Sequence, residues 1–183
     1  MDASFEKTTS DDCFERAQGH LTTMLNTKSM SPVAWRGKHK VEYLSLYSAS
    51  CFTYATVGIC VLTLFHNAPG YKGNQYIDGA LFIVQSVLSF IADVCVFGTT
   101  SIWHAVDRTY ATGVTLFLTL TKMFSLDRYE VMMFACVLFA GWYCLGKSRE
   151  ARLLSSWDGY MFWHSVWHVS LPLGYFFWCC TTL

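Results

Sequence analysis

Two histidines near the end of the chain, His164 and His168, have the types and spacing that most directly suggest chemistry. They lie four positions apart in an aromatic and apolar stretch that begins at Trp157. Residues with this spacing share one face of a helix, so both imidazoles can turn toward a single ion, as zinc ligands do. The alternative interpretation is an ordinary pair of core or interfacial histidines. A metal site needs a third ligand from elsewhere in the chain.

The composition indicates that lipid is the solvent of most of the chain. Of 183 residues, 53% are hydrophobic and only 14% are charged, whereas soluble domains carry roughly 25% charged residues. Basic and acidic residues number 13 each, which leaves no basic field for a nucleic-acid partner. The eight cysteines form no C-x-x-C pair, so neither a cysteine zinc site nor a disulfide framework is predicted.

Five apolar runs predict an all-helical, polytopic transmembrane bundle of about five spans, since a span needs about 20 residues. The runs are 41–65, 80–104, 109–124, 131–146 and 160–180. A polar tail, 1–40, precedes them and ends in a basic cluster, which places it on the cytoplasmic side by the positive-inside rule. The predicted units are therefore this tail and a transmembrane domain, 41–183. The organelle and the oligomeric state stay open.

The second run carries polar groups that are unusual within a span. With a turn of about 100° per residue, Asp93, Thr100, His104 and Asp107 fall on one narrow stripe of a helix. Hydroxyls alone would be explained as a polar seam that joins helices by hydrogen bonds. Ionisable side chains in a span are costly and usually face a protein interior or a cavity. The two acids and the histidine together therefore predict a functional site.

The predicted topology brings these groups to one membrane face. The second run ends, and the fifth begins, on the inner side, so His104 becomes the favoured third ligand beside the histidine pair. Three imidazoles leave one tetrahedral position for water, as in catalytic zinc sites, and a nearby carboxylate such as Asp107 can take its proton. His66 is the competing third ligand, although this topology places it on the outer face. If His66 is the ligand, Asp93 replaces Asp107 as the acid.

Together these residues resemble the CREST superfamily of membrane proteins, which includes alkaline ceramidases, progestin/adipoQ receptors, GPI-remodelling lipid hydrolases and myomaker. Its pattern is Ser-x-x-x-His near the end of one span, an Asp soon after, and His-x-x-x-His in the last span. His164-Ser-Val-Trp-His168 is similar to the last element. Ser101-Ile-Trp-His104-Ala-Val-Asp107 is similar to the first, in the form seen in the myomaker and GPI-remodelling branches.

The resemblance spans roughly residues 80–180 and implies a zinc-dependent hydrolase that cleaves an amide or ester bond in a membrane lipid. The zinc ligands that it implies are His104, His164 and His168. Asp107 would act on the zinc-bound water, and Thr100 or Ser101 would steady the site or the developing oxyanion.

This sequence also departs from the family pattern. The family has seven spans where five are predicted here, and Thr100 stands where the family has serine. The acidic N-terminal motif of alkaline ceramidases is absent from the sequence, which argues against that branch. Two other classes of protein therefore stay open. One is a receptor or membrane-remodelling protein with a structural zinc, and the other is a helix bundle without metal.

Overall fold

The computed structural model describes residues 41–42, 45–99, 101–123 and 127–183. Five α-helices and no strand occur in these residues, which confirms the predicted all-helical bundle. The helices are α1 (Leu46–Leu64), α2 (Gln75–Phe90), α3 (Ile102–Met123), α4 (Arg128–Leu153) and α5 (Trp157–Thr181). A π-helical segment, Ile91–Cys95, extends α2. The predicted tail, 1–40, and the candidate residue Thr100 lie outside the described residues.

Short polar side chains set where several of these helices begin. The Ser45 hydroxyl accepts a hydrogen bond from a backbone N–H in the first turn of α1, and the Asn74 side chain accepts two in the first turn of α2. Asp127 and Glu130 form a reciprocal capping box at the start of α4. Such caps satisfy backbone donors that the helix itself leaves unpaired. The apolar runs therefore begin as helices close to where the sequence changes from polar to apolar.

Among the described residues, three helical stretches are long and apolar enough to cross a membrane: α1, Gln75–Cys95 and α4. Large apolar side chains face outward on α4, where Met132 is 59% and Tyr143 52% exposed. An apolar exterior of this kind is suited to lipid rather than to water. These features agree with an integral membrane protein. The cytoplasmic placement of the N-terminus stays a prediction.

The second apolar run is not one helix, and the prediction of a continuous span through 80–104 is wrong. The helix ends at Cys95 and is followed by a turn in which Gly98 has φ +71°. This left-handed conformation costs glycine little and other residues more. A new helix, α3, begins at Ile102. His104 and Asp107 therefore belong to the first turns of α3 and do not share a helical stripe with Asp93.

The helices pack in the order α3–α2–α1–α5–α4, as a horseshoe. Contacts are most extensive between α1 and α2, between α4 and α5, and between α1 and α5, whereas α2 and α3 share fewer. The backbones of α3 and α4 stay apart, although the two helices follow each other in the chain and some of their side chains share the apolar core. The apolar core lies inside the horseshoe and includes Tyr54, Val57, Phe82, Tyr175 and Trp178.

A buried ion pair fastens the end of α3 to the rest of the bundle. Lys122 is 1% exposed and its Nζ lies 2.5 Å from Asp78 Oδ2. The same ammonium donates to the backbone carbonyl of Lys72. The hydroxyls of Tyr71 and Tyr175 also donate to Asp78 Oδ2, at 2.6 and 2.9 Å. We call these five residues the Lys122 cluster. It joins α2, α3, α5 and the loop at 65–74.

The loop of this cluster is shaped around the lysine. Gly73 has φ +139°, and a Cβ atom there would lie 2.3 Å from Lys122 Nζ, so a larger residue would displace the ammonium. The Tyr71 ring faces the ammonium at 4.7 Å, within the range of a cation–π contact. Burial, with the Asp78 carboxylate nearby, raises the pKa of the Tyr71 phenol, so this hydroxyl stays protonated as a donor.

We predict that Lys122→Met lowers the free energy of unfolding by about 3–5 kcal/mol, because it leaves the Asp78 carboxylate buried without its cation. The double variant Lys122→Met/Asp78→Asn should recover part of this loss, since no charge is then left unpaired. Thermal melting in detergent measures both. Lys147→Met is the control, because the Lys147–Glu150 pair is 38% and 55% exposed, and an exposed pair contributes little to stability. Equal losses in the two single variants would contradict this role for the Lys122 cluster.

Candidate metal site

Asp93 is the residue on which the two histidines of α5 converge. Its Oδ2 atom lies 3.2 Å from His164 Nε2 and 3.3 Å from His168 Nε2. All three side chains are buried. Asp93 stands in the π-helical segment, where the Val96 N–H bonds back five residues to the Ile91 carbonyl. Single π-helical turns of this type are often found at functional sites.

A thiol completes a group of metal-type ligands. Cys51, near the start of α1, has its Sγ within 4.8 Å of the ligand atoms of both Asp93 and His168, which also lie within that distance of each other. Cys51 is buried and forms no disulfide. Sulfur, nitrogen and carboxylate oxygen are the three ligand types that zinc uses in proteins. This group can hold a metal ion.

The surroundings of the His168 ring indicate whether a metal ion fits this group. The residue is 0% exposed, its Nε2 lies 3.3 Å from Asp93 Oδ2 without hydrogen-bond geometry, and its Nδ1 has no hydrogen-bond partner in the described part of the chain. A buried imidazole normally has a hydrogen-bond partner, and one without such a partner needs an explanation. A metal ion bound at one ring nitrogen supplies it. The residues present therefore fit a metal ion.

Neighbouring side chains hold His164 in place. Ser148 Oγ, from α4, lies 3.1 Å from His164 Nδ1, which leaves Nε2 turned toward Asp93. The rings of Tyr47 and Tyr160 lie 5.5 and 5.0 Å from the imidazole. Metal-binding histidines commonly have the other ring nitrogen oriented by such a second contact. His164 is thus fixed beside the Cys51–Asp93–His168 group.

A second carboxylate lies beside this group. Asp107 Oδ1 accepts hydrogen bonds from Gln85 Nε2 at 2.7 Å and from Ser89 Oγ at 2.8 Å. Asp107 is also near enough to Asp93 and His168 to interact with them electrostatically. Two buried carboxylates repel each other, and burying them is costly unless positive charge is close. A bound cation would offset this cost.

The other predicted metal ligands lie outside this group. His104 is buried at the same end of the bundle, near enough to Asp93 for an electrostatic interaction, but its Nε2 donates to the Thr99 carbonyl at 3.1 Å. His66 is exposed just beyond the opposite end of α1, with its Nδ1 2.9 Å from Asn67 Nδ2. The structure thus brings the histidine pair together with Asp93. Neither His104 nor His66, the two predicted third ligands, joins this group.

The predicted hydroxyl Ser101 has a structural contact instead. Its Oγ accepts a hydrogen bond from the Trp103 N–H at 3.3 Å, the contact that an N-cap makes with the second residue of a helix. Ser101 therefore lies at the start of α3, directly before the turn that carries His104. Thr100, the other predicted hydroxyl, lies outside the described residues.

Cys51 is the candidate metal ligand that the sequence pattern does not predict. A single thiol in an apolar run behaves as a small hydrophobic residue, and the sequence offered no partner for it. The span order contained a usable signal, because the first run begins on the same side as the fifth, which places Cys51 near the level of His164. The sequence places Asp93 in the predicted polar stripe and makes it the acid beside His66, but does not pair it with His164 and His168. No sequence pattern singled out Gln85, which lies about two helical turns before Asp93.

The Ser101 contact yields a prediction about stability. Ser101→Ala should lower the free energy of unfolding by about 1 kcal/mol, whereas Ser101→Gly should cost only a few tenths, as at other N-caps. Thermal melting in detergent checks this ranking, and metal content measured on the same samples should not change. Loss of bound metal in both variants would instead assign the hydroxyl to the metal site.

Comparisons of the chain with protein-family models, with curated proteins and with solved structures find no match.

Proposed function

We propose that this protein is a zinc-dependent integral-membrane hydrolase that cleaves an amide or ester bond in a membrane lipid, as the resemblance to the CREST superfamily suggests. The observation that carries the proposal is the buried group of Cys51, Asp93 and His168, in which neither ring nitrogen of the histidine has a hydrogen bond of good geometry in the described part of the chain. A purely structural polar seam would be expected to satisfy that ring by hydrogen bonds.

The ligand types favour zinc over the other common divalent ions. Calcium and magnesium prefer sites built from oxygen atoms alone, and thiolate and imidazole ligands suit zinc or copper. Cys51 supplies sulfur, Asp93 oxygen and His168 nitrogen, with His164 as a further nitrogen close to Asp93. When bound, zinc acts as a Lewis acid that polarises a carbonyl group and acidifies water.

Asp107 is the residue that we propose as general base. Its Oδ1 atom is held by Gln85 and Ser89, which leaves Oδ2 to accept a proton. In the reaction, water attacks the carbonyl carbon of the lipid while its proton passes to Asp107. The carbon–nitrogen or carbon–oxygen bond then breaks, and the proton returns from Asp107 to the leaving amine or alcohol. The products are a fatty acid and the remainder of the lipid.

We predict that detergent-purified protein contains about one zinc ion per chain, as three protein ligands hold in catalytic zinc sites. Elemental mass spectrometry should show that His168→Ala and Asp93→Asn lose the metal. His66→Ala and His104→Ala are the matched controls and should retain it, because neither histidine belongs to the ligand group.

The same measurement can contradict the proposal in two ways. If well-folded wild-type protein contains no metal, the polar groups form a helix-joining seam and the catalytic proposal fails. If His104→Ala loses the metal while Asp93→Asn retains it, the three-histidine site implied by the family resemblance is correct and the ligand group proposed here is not.

A separate prediction concerns turnover. Asp107→Asn should keep the metal and lower hydrolysis by about 10²-fold or more, because it removes the general base. The measurement is fatty acid released from vesicles that contain amide-linked and ester-linked lipids, followed by mass spectrometry. Zinc-loaded wild type that releases no more fatty acid than Asp107→Asn would leave a structural zinc in a receptor or membrane-remodelling protein.

A further inference from the structure

A cavity with a volume of about 620 Å³ lies inside the horseshoe of helices. All five helices line it, and its wall is almost entirely apolar. Representative lining residues are Tyr54, Gln85, Thr115, Leu138, Trp167 and Tyr175. The backbones of α3 and α4 stay apart, and Phe139 and Trp142 in the wall of the cavity are exposed, so the cavity is open on this side toward the region that lipid would occupy.

The cavity is elongated along the helices. Its lining runs along α3 from Ala111 to Thr119 and along α4 from Phe134 to Leu145. At 1.5 Å per residue, these stretches correspond to a length of about 12–17 Å. One end is at Tyr175, whose hydroxyl belongs to the Lys122 cluster. The other end is at the metal site.

Two aromatic residues separate the cavity from the histidines at its metal-site end. Tyr54 lines the cavity and its ring lies 5.7 Å from the His168 ring. Trp167 also lines it and lies 4.9 Å from the same imidazole. A molecule that fills the cavity therefore ends within one side chain of the proposed metal ligands.

The volume decides which kind of molecule fits. A helix of 20 residues occupies about 2,400 Å³, taken as a cylinder 10 Å wide and 30 Å long. The cavity is about a quarter of that size, but it is within the range of roughly 300–1,000 Å³ found for small-molecule pockets. An extended hydrocarbon chain from the bilayer fits its shape, its apolar wall and its lateral opening.

One polar group marks the metal-site end of the cavity. Gln85 is 2% exposed and lines the cavity. Its Nε2 donates to Ser89 and Asp107, but its Oε1 is buried and has no hydrogen-bond partner among the described residues. An unpaired buried acceptor is costly, and a donor on a bound molecule would satisfy it.

We propose that this cavity binds one hydrocarbon chain of a lipid, with an N–H or O–H group of the lipid donating to Gln85 Oε1. The chain lies with its methyl end toward Tyr175 and its polar end toward Asp107. Gln85 then connects the bound lipid to the carboxylate that it orients. The identity of this lipid as the substrate rests on the proposed function, whereas its binding does not.

Two matched probes test the proposal on the full chain in lipid nanodiscs: N-propyl palmitamide and propyl palmitate, each with the same photoactivatable diazirine in the acyl chain. They differ only at the atom next to the carbonyl carbon, which is N–H in the amide and oxygen in the ester. We expect cross-links on the lining stretches of α3 and α4, and about threefold or more labelling by the amide than by the ester, the size of one hydrogen bond. Cross-links confined to residues that do not line the cavity would overturn the proposal. Equal labelling by the two probes would remove the role of Gln85.

Two variants fill the cavity from opposite sides, Thr115→Trp on α3 and Ala135→Trp on α4. Each should lower labelling by about threefold or more, since the added ring occupies the space of the chain. Leu120→Trp is the control, because Leu120 is 50% exposed on α3 and does not line the cavity. Labelling that both folded filling variants leave unchanged would overturn the proposal. If neither variant folds, the position of the cross-links in wild type decides.

His168→Ala separates this inference from the proposed function. The variant removes a metal ligand but no wall of the cavity, so the cross-links should persist although metal and hydrolysis are lost. Hydrolysis by wild type without cavity cross-links would overturn the cavity assignment alone. Cavity cross-links in a wild type that binds no metal would support lipid binding and overturn the hydrolase.

Discussion

The carboxylate of Asp93 is the constraint on which the site end of the bundle depends. An ionised carboxylate inside an apolar helical bundle is costly unless it is paired. Here the two imidazoles of α5 lie at 3.2 and 3.3 Å, and the thiol of α1 lies beside them. These groups lie on α1, on α5 and on the π-helical extension of α2. Helix α1 packs extensively against both α2 and α5. Packing of the core and pairing of the charge therefore require the same arrangement of helices.

Polar contacts near its two ends determine the position of α3. It shares fewer contacts with α2 than the other packed helices share with each other, and few with α4. Near its start, Asp107 accepts from two side chains of α2. At its end, Lys122 pairs with Asp78, also on α2. A helix held in this way leaves its middle apart from α4, which accounts for a cavity in the centre of the bundle rather than a closed core.

The number and the approximate positions of the helices could be predicted from the sequence, because an apolar run of sufficient length has few alternatives in lipid. The interruption after Cys95 could not, since it depends on the left-handed backbone of Gly98, and glycine also occurs within the predicted spans. Because of this interruption, His104 and Asp107 lie on α3 and not on the helix that carries Asp93. The pairing of His164 with Asp93 joins residues 71 positions apart, which helical periodicity cannot reveal.

The π-helical turn explains how α2 and its extension place polar side chains against both α3 and α5. Gln85 and Ser89 are four residues apart, and both donate to Asp107 on α3. In a regular α-helix, the next residue of this series, Asp93, would continue near the same face. The segment Ile91–Cys95 is wound more widely, with a bond from the Val96 N–H to the Ile91 carbonyl. Asp93 consequently meets α5 while the preceding turns meet α3, so the two carboxylates approach the same site from different helices.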